Sequence, residues 1–189
     1  MTDPILSGTP ESWTRLPVQT LFSLSKSELY SLQLHWAQTR FQQLQEHIPA
    51  LDALAEKQGV KIITAFEPLA TILFTHQVYK NYPFAFIERK LFTELTRWLN
   101  KLTAHDLSSL DMRGVNTIDE WLTRLDEAGM FVFHSTGTSG KLSFFPRSQT
   151  EKEAWVEGTY TFLEAFMPGI RDLHLPVFWP AYRTGRQAS

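Results

Sequence analysis

The stretch 131–148, FVFHSTGTSGKLSFFPRS, limits the fold of this chain more than any other. Two short aromatic runs flank Ser135-Thr136-Gly137-Thr138-Ser139-Gly140-Lys141, which is nearly all glycine or hydroxyl and closes on a lysine. Phe131–Phe133 and 142–145 are short, aromatic and bounded by turn residues, so they are expected to be two strands joined by that loop. Upstream the pattern is helical. Leu29, Leu32, Trp36, Leu44 and Ile48 recur at near-helical spacing behind Ser25-Lys-Ser-Glu28, a capping box, and predict a helix over about 26–48.

A shorter helix is expected from Ala50 to Gln58 with Gly59 as its stop, and another after Pro68. Asn81-Tyr-Pro83 reads as a turn. Ile87, Leu91, Leu95, Trp98, Leu99 and Leu102 mark one face of a further helix, and Thr117-Ile-Asp-Glu120 is a second capping box whose helix closes near Gly129. After the loop, a helix over about 150–166 stops at Pro168-Gly169, and Leu175–Trp179 reads as a third strand. The expectation is therefore α/β: a helical region over 1–129, then over 130–189 the incomplete start of an α/β nucleotide-binding subdomain carrying the loop.

Composition narrows the partners. With 189 residues the chain is long enough for one domain with a core, and no 20–50-residue repeat is visible. The charged fraction of 20% and net charge of −2, with scattered basic residues, argue against nucleic acid as a partner. There is no cysteine, which excludes disulfides, thiolate metal sites and thiol nucleophiles together. The first residues, MTDPILSGTPESW, do not form a signal peptide, and the most apolar segment, 62–74, is interrupted by Glu67-Pro68 and too short to span a bilayer. A cytoplasmic protein without a membrane partner is expected.

Small residues between strands leave backbone N–H groups unshielded, hydroxyls add donors, and Lys141 adds charge; together these suit an anion, phosphate best. A Walker A loop needs a glycine where Ser135 stands, a hydroxyl where Leu142 stands, and a following helix, so that comparison fails. The run Ser135–Gly140 instead resembles the phosphate loop of the adenylate-forming superfamily, with Lys141 at its variable position, Leu142 in place of the usual proline and Ser143 in place of the usual lysine. The long helical region before the loop is similar in layout to the auxin-amide synthetases, phenylacetate-CoA ligases and the acyl-protein synthetase of bacterial bioluminescence. Among these, the auxin-amide synthetases also follow the loop with a strand ending in proline and a long helix, as in Leu142-Ser-Phe-Phe-Pro146.

The resemblance implies that a carboxylate attacks the α-phosphate of MgATP to give an acyl-adenylate and pyrophosphate, after which a thiol or amine takes the acyl group. It implies that Ser135, Thr136, Gly137, Thr138, Ser139, Gly140 and Lys141 hold ATP phosphates. Magnesium would arrive with ATP, since the histidines at 35, 47, 76, 105 and 174 form no metal-ligand pattern. His134, directly before the loop, is a candidate substrate contact, with strand-end packing as its plainer role. Arg183 and Arg186 are candidates for extending the anion site, or a solvated connection. Tyr79 and Tyr82 are candidates for lining an acyl pocket or packing a turn, and Trp36, Trp98 and Trp121 read as core. The family's adenine aromatic, ribose-binding acid and closing carboxy-terminal domain find no counterpart here, so the chain reads as an amino-terminal portion of a longer enzyme, inactive alone. The alternative is a non-catalytic helical interaction module whose Gly/Ser/Thr loop is a structural turn.

Overall fold

The computed structural model describes residues 8–135 and 140–173. It is a mixed α/β structure, mostly helical, with one two-stranded antiparallel sheet. The described residues divide into two compact units: 8–37 with 149–173, and 38–135 with 140–148.

The first unit holds α1 (Pro10–Trp13), α2 (Val18–Phe22), the start of α3 (Lys26–Leu44) and α9 (Gln149–Glu164). Helix α3 begins as its sequence requires. The Ser25 N–H donates to Glu28 Oε2 at 2.8 Å, and the Glu28 N–H donates to Ser25 Oγ at 3.3 Å. This capping box satisfies two donors that the first turn would otherwise leave unpaired. The helix tightens into a 3-10 turn at Gln45–His47, which Ile48 separates from Pro49. Within the unit, Trp13 meets Trp36 edge to face at 6.1 Å, and the Thr161 hydroxyl donates to the Thr14 carbonyl. Trp36 is half-buried.

In the second unit, α4 (Pro49–Gln58) ends at Gly59, whose φ of +67° lets the Val60 N–H reach back to the Ala55 carbonyl at 2.9 Å. That left-handed stop is cheap for glycine and costly for other residues. After α5 (Phe66–Thr71), the single helix expected across 87–102 is two: α6 (Ala85–Glu88) and α7 (Phe92–Leu99), continued by a 3-10 turn at Asn100–Leu102. Lys90 takes a φ of +55°, and the Leu91 N–H bonds the Phe86 carbonyl at 2.7 Å. This is the same left-handed stop built on a lysine, which has no signature in composition. Leu91, expected on the apolar face, is therefore exposed.

Helix α7 buries Phe92, Leu95, Thr96 and Leu99, one stripe at helical spacing. Helix α8 (Ile118–Glu127) starts on the second capping box, the Glu120 N–H donating to Thr117 Oγ1 and the Thr117 N–H to Glu120 Oε2, each at 3.2 Å. It buries Trp121, Leu122 and Leu125, and packs on strand β1 (Met130–His134). The Trp121 indole donates to Thr96 Oγ1 at 2.9 Å, so the largest core side chain also has its polar atom satisfied.

Strand β2 (Phe144–Ser148) pairs antiparallel with β1, Met130 opposite Ser148 and His134 opposite Phe144. It begins two residues later than expected and runs past Pro146. The Ser135 N–H bonds the Ser143 carbonyl, so the hydrogen-bonded positions of the ladder recur two by two at 133 and 131, and Pro146, opposite Val132, falls between them. Its missing N–H costs the ladder nothing. Phe144 is fully buried against Trp121 at 4.9 Å, which ties the sheet to the helical core. Helix α9 follows directly, close to the expected 150–166. The expected strand at Leu175–Trp179 lies outside the described residues.

Candidate functional site

The candidate site is the hairpin between β1 and β2 together with the segment 79–82 behind it. Strand pairing brings Ser135 and Ser143 opposite each other, and two bonds close the base of the loop. The Ser135 N–H donates to the Ser143 carbonyl at 3.0 Å, and the Ser143 N–H donates to Ser135 Oγ at 2.9 Å. The hydroxyl thus takes the ladder bond that the Ser135 carbonyl would ordinarily accept, while that carbonyl lies 3.1 Å from His134 Nδ1. Ser135 is structural through its oxygen lone pair, and its hydroxyl proton is still available to a ligand. His134 is half-buried on the strand.

Thr136, Gly137, Thr138 and Ser139 lie outside the described residues, as do Arg183 and Arg186. Gly140, where the description resumes, has a φ of +84° and open space around its Cα. A side chain would fit but the backbone conformation would be strained.

Lys141 closes the loop. Its Nζ donates to the backbone carbonyl of Tyr82 and sits 4.3 Å from the centroid of the Tyr82 ring. Tyr82 in turn donates its hydroxyl to the Leu142 carbonyl at 2.9 Å. Tyr82 is fully buried, with Trp98 at 5.0 Å and Phe144 at 5.5 Å from its ring. It is a core residue gripping residues 141 and 142, and burial pushes its pKa up to about 12. Tyr79 packs its ring on Phe145 at 4.7 Å. Trp121 is fully buried as expected of a core residue, whereas Trp98 is half-buried.

Lys80 is close enough to matter electrically. The pKa of Lys141 is lowered by desolvation first and by the positive charge of Lys80 second. Among the described residues no carboxylate pairs with Lys141. Lys80 was not legible as part of this site, because it stands 61 positions upstream of Lys141, in a turn with no motif of its own. An anion at this shoulder would relieve the repulsion and compensate the desolvated ammonium.

Among the described residues, no group of His, Asp and Glu could hold a metal ion, and no helix is long and apolar enough to cross a membrane. No protein-family model, no curated protein and no solved structure matches this chain.

Proposed function

We propose that residues 135–141 are the phosphate-binding loop of an acyl-adenylate-forming ligase or acyl-protein synthetase, with β1 and β2 as the opening strands of its sheet. The observation that carries this reading is the positive charge at the end of the Ser/Thr/Gly run: Lys141 feels the charge of Lys80, and neither lysine has a carboxylate partner among the described residues. Two cations that feel each other's charge, one of them closing a hydroxyl-rich sequence, suit a polyphosphate better than any neutral ligand. MgATP would supply the activating phosphoanhydride, with a carboxylic acid as substrate and a thiol or amine as acceptor.

The residues present fit a phosphate group. Lys141 has three N–H donors and spends one on Tyr82, leaving two; Ser135 keeps its hydroxyl proton; Lys80 adds charge. The chain's work is to orient the phosphates and to hold negative charge as pyrophosphate departs. A structural turn in an interaction module is the second reading, favoured by the grip of Lys141 on Tyr82.

Calorimetric titration with inorganic pyrophosphate and with MgATP separates the two. The phosphate reading expects saturable binding that Lys141→Ala weakens by about tenfold or more, the scale of one charge-assisted bond. Gly137→Val should weaken it too, by putting a β-branched side chain where the ligand approaches. Absence of binding, or binding untouched by both substitutions in folded protein, makes the loop a turn.

A further inference from the structure

The turn between α6 and α7 puts a lysine where a glycine would serve. The left-handed stop at Lys90, with its φ of +55°, strains any residue that carries a Cβ, and glycine would make the same turn without that cost. Strain kept in a fold points to a use for the side chain that bears it. The surroundings of Lys90 suggest the use. Residues 88–91 are all exposed, and the Glu88 N–H bonds the Phe84 carbonyl at 3.3 Å, which places Phe84 one helical turn from this run. Phe84 is 48% and Leu91 40% exposed, so apolar surface meets water on both flanks of Arg89 and Lys90 in the chain. Among the described residues no carboxylate pairs with Arg89 or Lys90, and Glu88 is the one acid of the run against its two cations. Four consecutive exposed residues make a protrusion rather than a groove, and a partner helix needs a groove.

We propose that this turn is a surface anchor for an anionic lipid membrane, with Arg89 and Lys90 on the headgroups and the side chains of Phe84 and Leu91 entering the boundary between headgroups and acyl chains. Charge alone would suit any anion, and apolar surface alone any apolar partner. Side by side on a protruding turn, they fit a surface that offers negative charge with an apolar layer beneath it. A second copy of the chain would present the same two cations and be repelled. An acidic peptide would match the cations and leave Phe84 and Leu91 in water. The expectation of no membrane partner rested on the lack of a bilayer-spanning segment, which a surface anchor does not need. The anchor lies outside the phosphate loop and does not depend on it.

The test is flotation of the full chain with vesicles of phosphatidylcholine alone, and of phosphatidylcholine with about a third phosphatidylserine, which gives the surface a negative potential. Partition onto the anionic vesicles should be at least about tenfold stronger, and should fall about fivefold in Arg89→Gln and in Lys90→Gln, the scale of one basic residue near the surface. Glu88→Gln should strengthen it by about the same factor. Phe84→Ser, a change at an exposed side chain, should weaken partition by about fivefold through lost apolar contact. Lys90→Gly should have two opposite effects: it should raise the folding equilibrium constant about fivefold by relieving the turn, and lower vesicle binding as Lys90→Gln does. Pyrophosphate at matched ionic strength, a probe of the phosphate loop, should leave partition unchanged. Equal partition onto the two vesicles, binding untouched by Phe84→Ser, displacement by pyrophosphate, or a Lys90→Gly protein no more stable than the parent would each overturn the assignment. So would equal binding of polyglutamate, or self-association that Phe84→Ser abolishes, since the occupant would then be an acidic chain or a second copy.

Discussion

Tyr82 shows how one residue can serve the core and the site at once. Its ring is buried against Trp98 and Phe144, its hydroxyl bonds the Leu142 carbonyl, and its own carbonyl and ring face hold Lys141. The buried phenol titrates near pH 12 rather than at its ordinary value near 10. In the folded state the proton is therefore kept while the unfolded chain loses it. Stability from this group is complete below about pH 10 and is lost as pH rises from there to about 12, a decline on the order of 2 kcal/mol. Denaturant unfolding across that range should show the loss in the parent and a shallower one in Tyr82→Phe. At neutral pH the same substitution should cost about 1 kcal/mol, the hydroxyl's bond to Leu142. Equal alkaline slopes in the two proteins would mean that Tyr82 ionises without cost.

At the scale of elements, the boundaries written in side-chain chemistry were legible and those made by backbone conformation alone were not. Thr117 and Glu120 announce α8 because a hydroxyl and a carboxylate three residues apart satisfy two N–H groups, and the structure forms both bonds. Thr117→Ala should cost about 1 kcal/mol in chemical denaturation, while Thr117→Ser should cost little. The stop at Gly59 was equally readable, since glycine tolerates its positive φ. The stop at Lys90 was not. Nothing in a lysine signals a left-handed turn, so the apolar spacing of 87–102 read straight through two helices. The hairpin was legible from the change of pattern near Met130, but the start of β2 was set by the Ser135–Ser143 bonds, a pairing across eight residues that local periodicity does not contain. In the candidate site, Lys141 was readable from the loop motif. Its contacts with Tyr82 and its proximity to Lys80 are products of the fold and could not be read locally.

At the scale of the whole molecule, the apolar burial is unevenly shared. Among the described residues, Leu32 and Ile170 are the buried hydrophobic side chains of the unit formed by 8–37 and 149–173, and the remainder belong to the other unit. Seven of those have no exposed surface at all, Ala55 and the larger side chains of Tyr82, Leu95, Leu99, Trp121, Leu125 and Phe144. Each fully buried side chain of this kind contributes roughly 1.5–3 kcal/mol, so cooperative opening of α7, α8 and β1 has to give up many of these terms together. Helix α9 has no buried residue over its 16 positions, with Trp155 at 62% and Phe162 at 51% exposure. Its amides can open after giving up little packing. Native-state hydrogen exchange should therefore find the slowest amides in α7, α8 and β1, near the global unfolding free energy, with those of α9 exchanging at least about a hundredfold faster, a difference of roughly 3 kcal/mol in opening free energy. Protection in α9 equal to that in α8 would show that its apolar side chains are covered in solution, and that stability is distributed evenly between the two units.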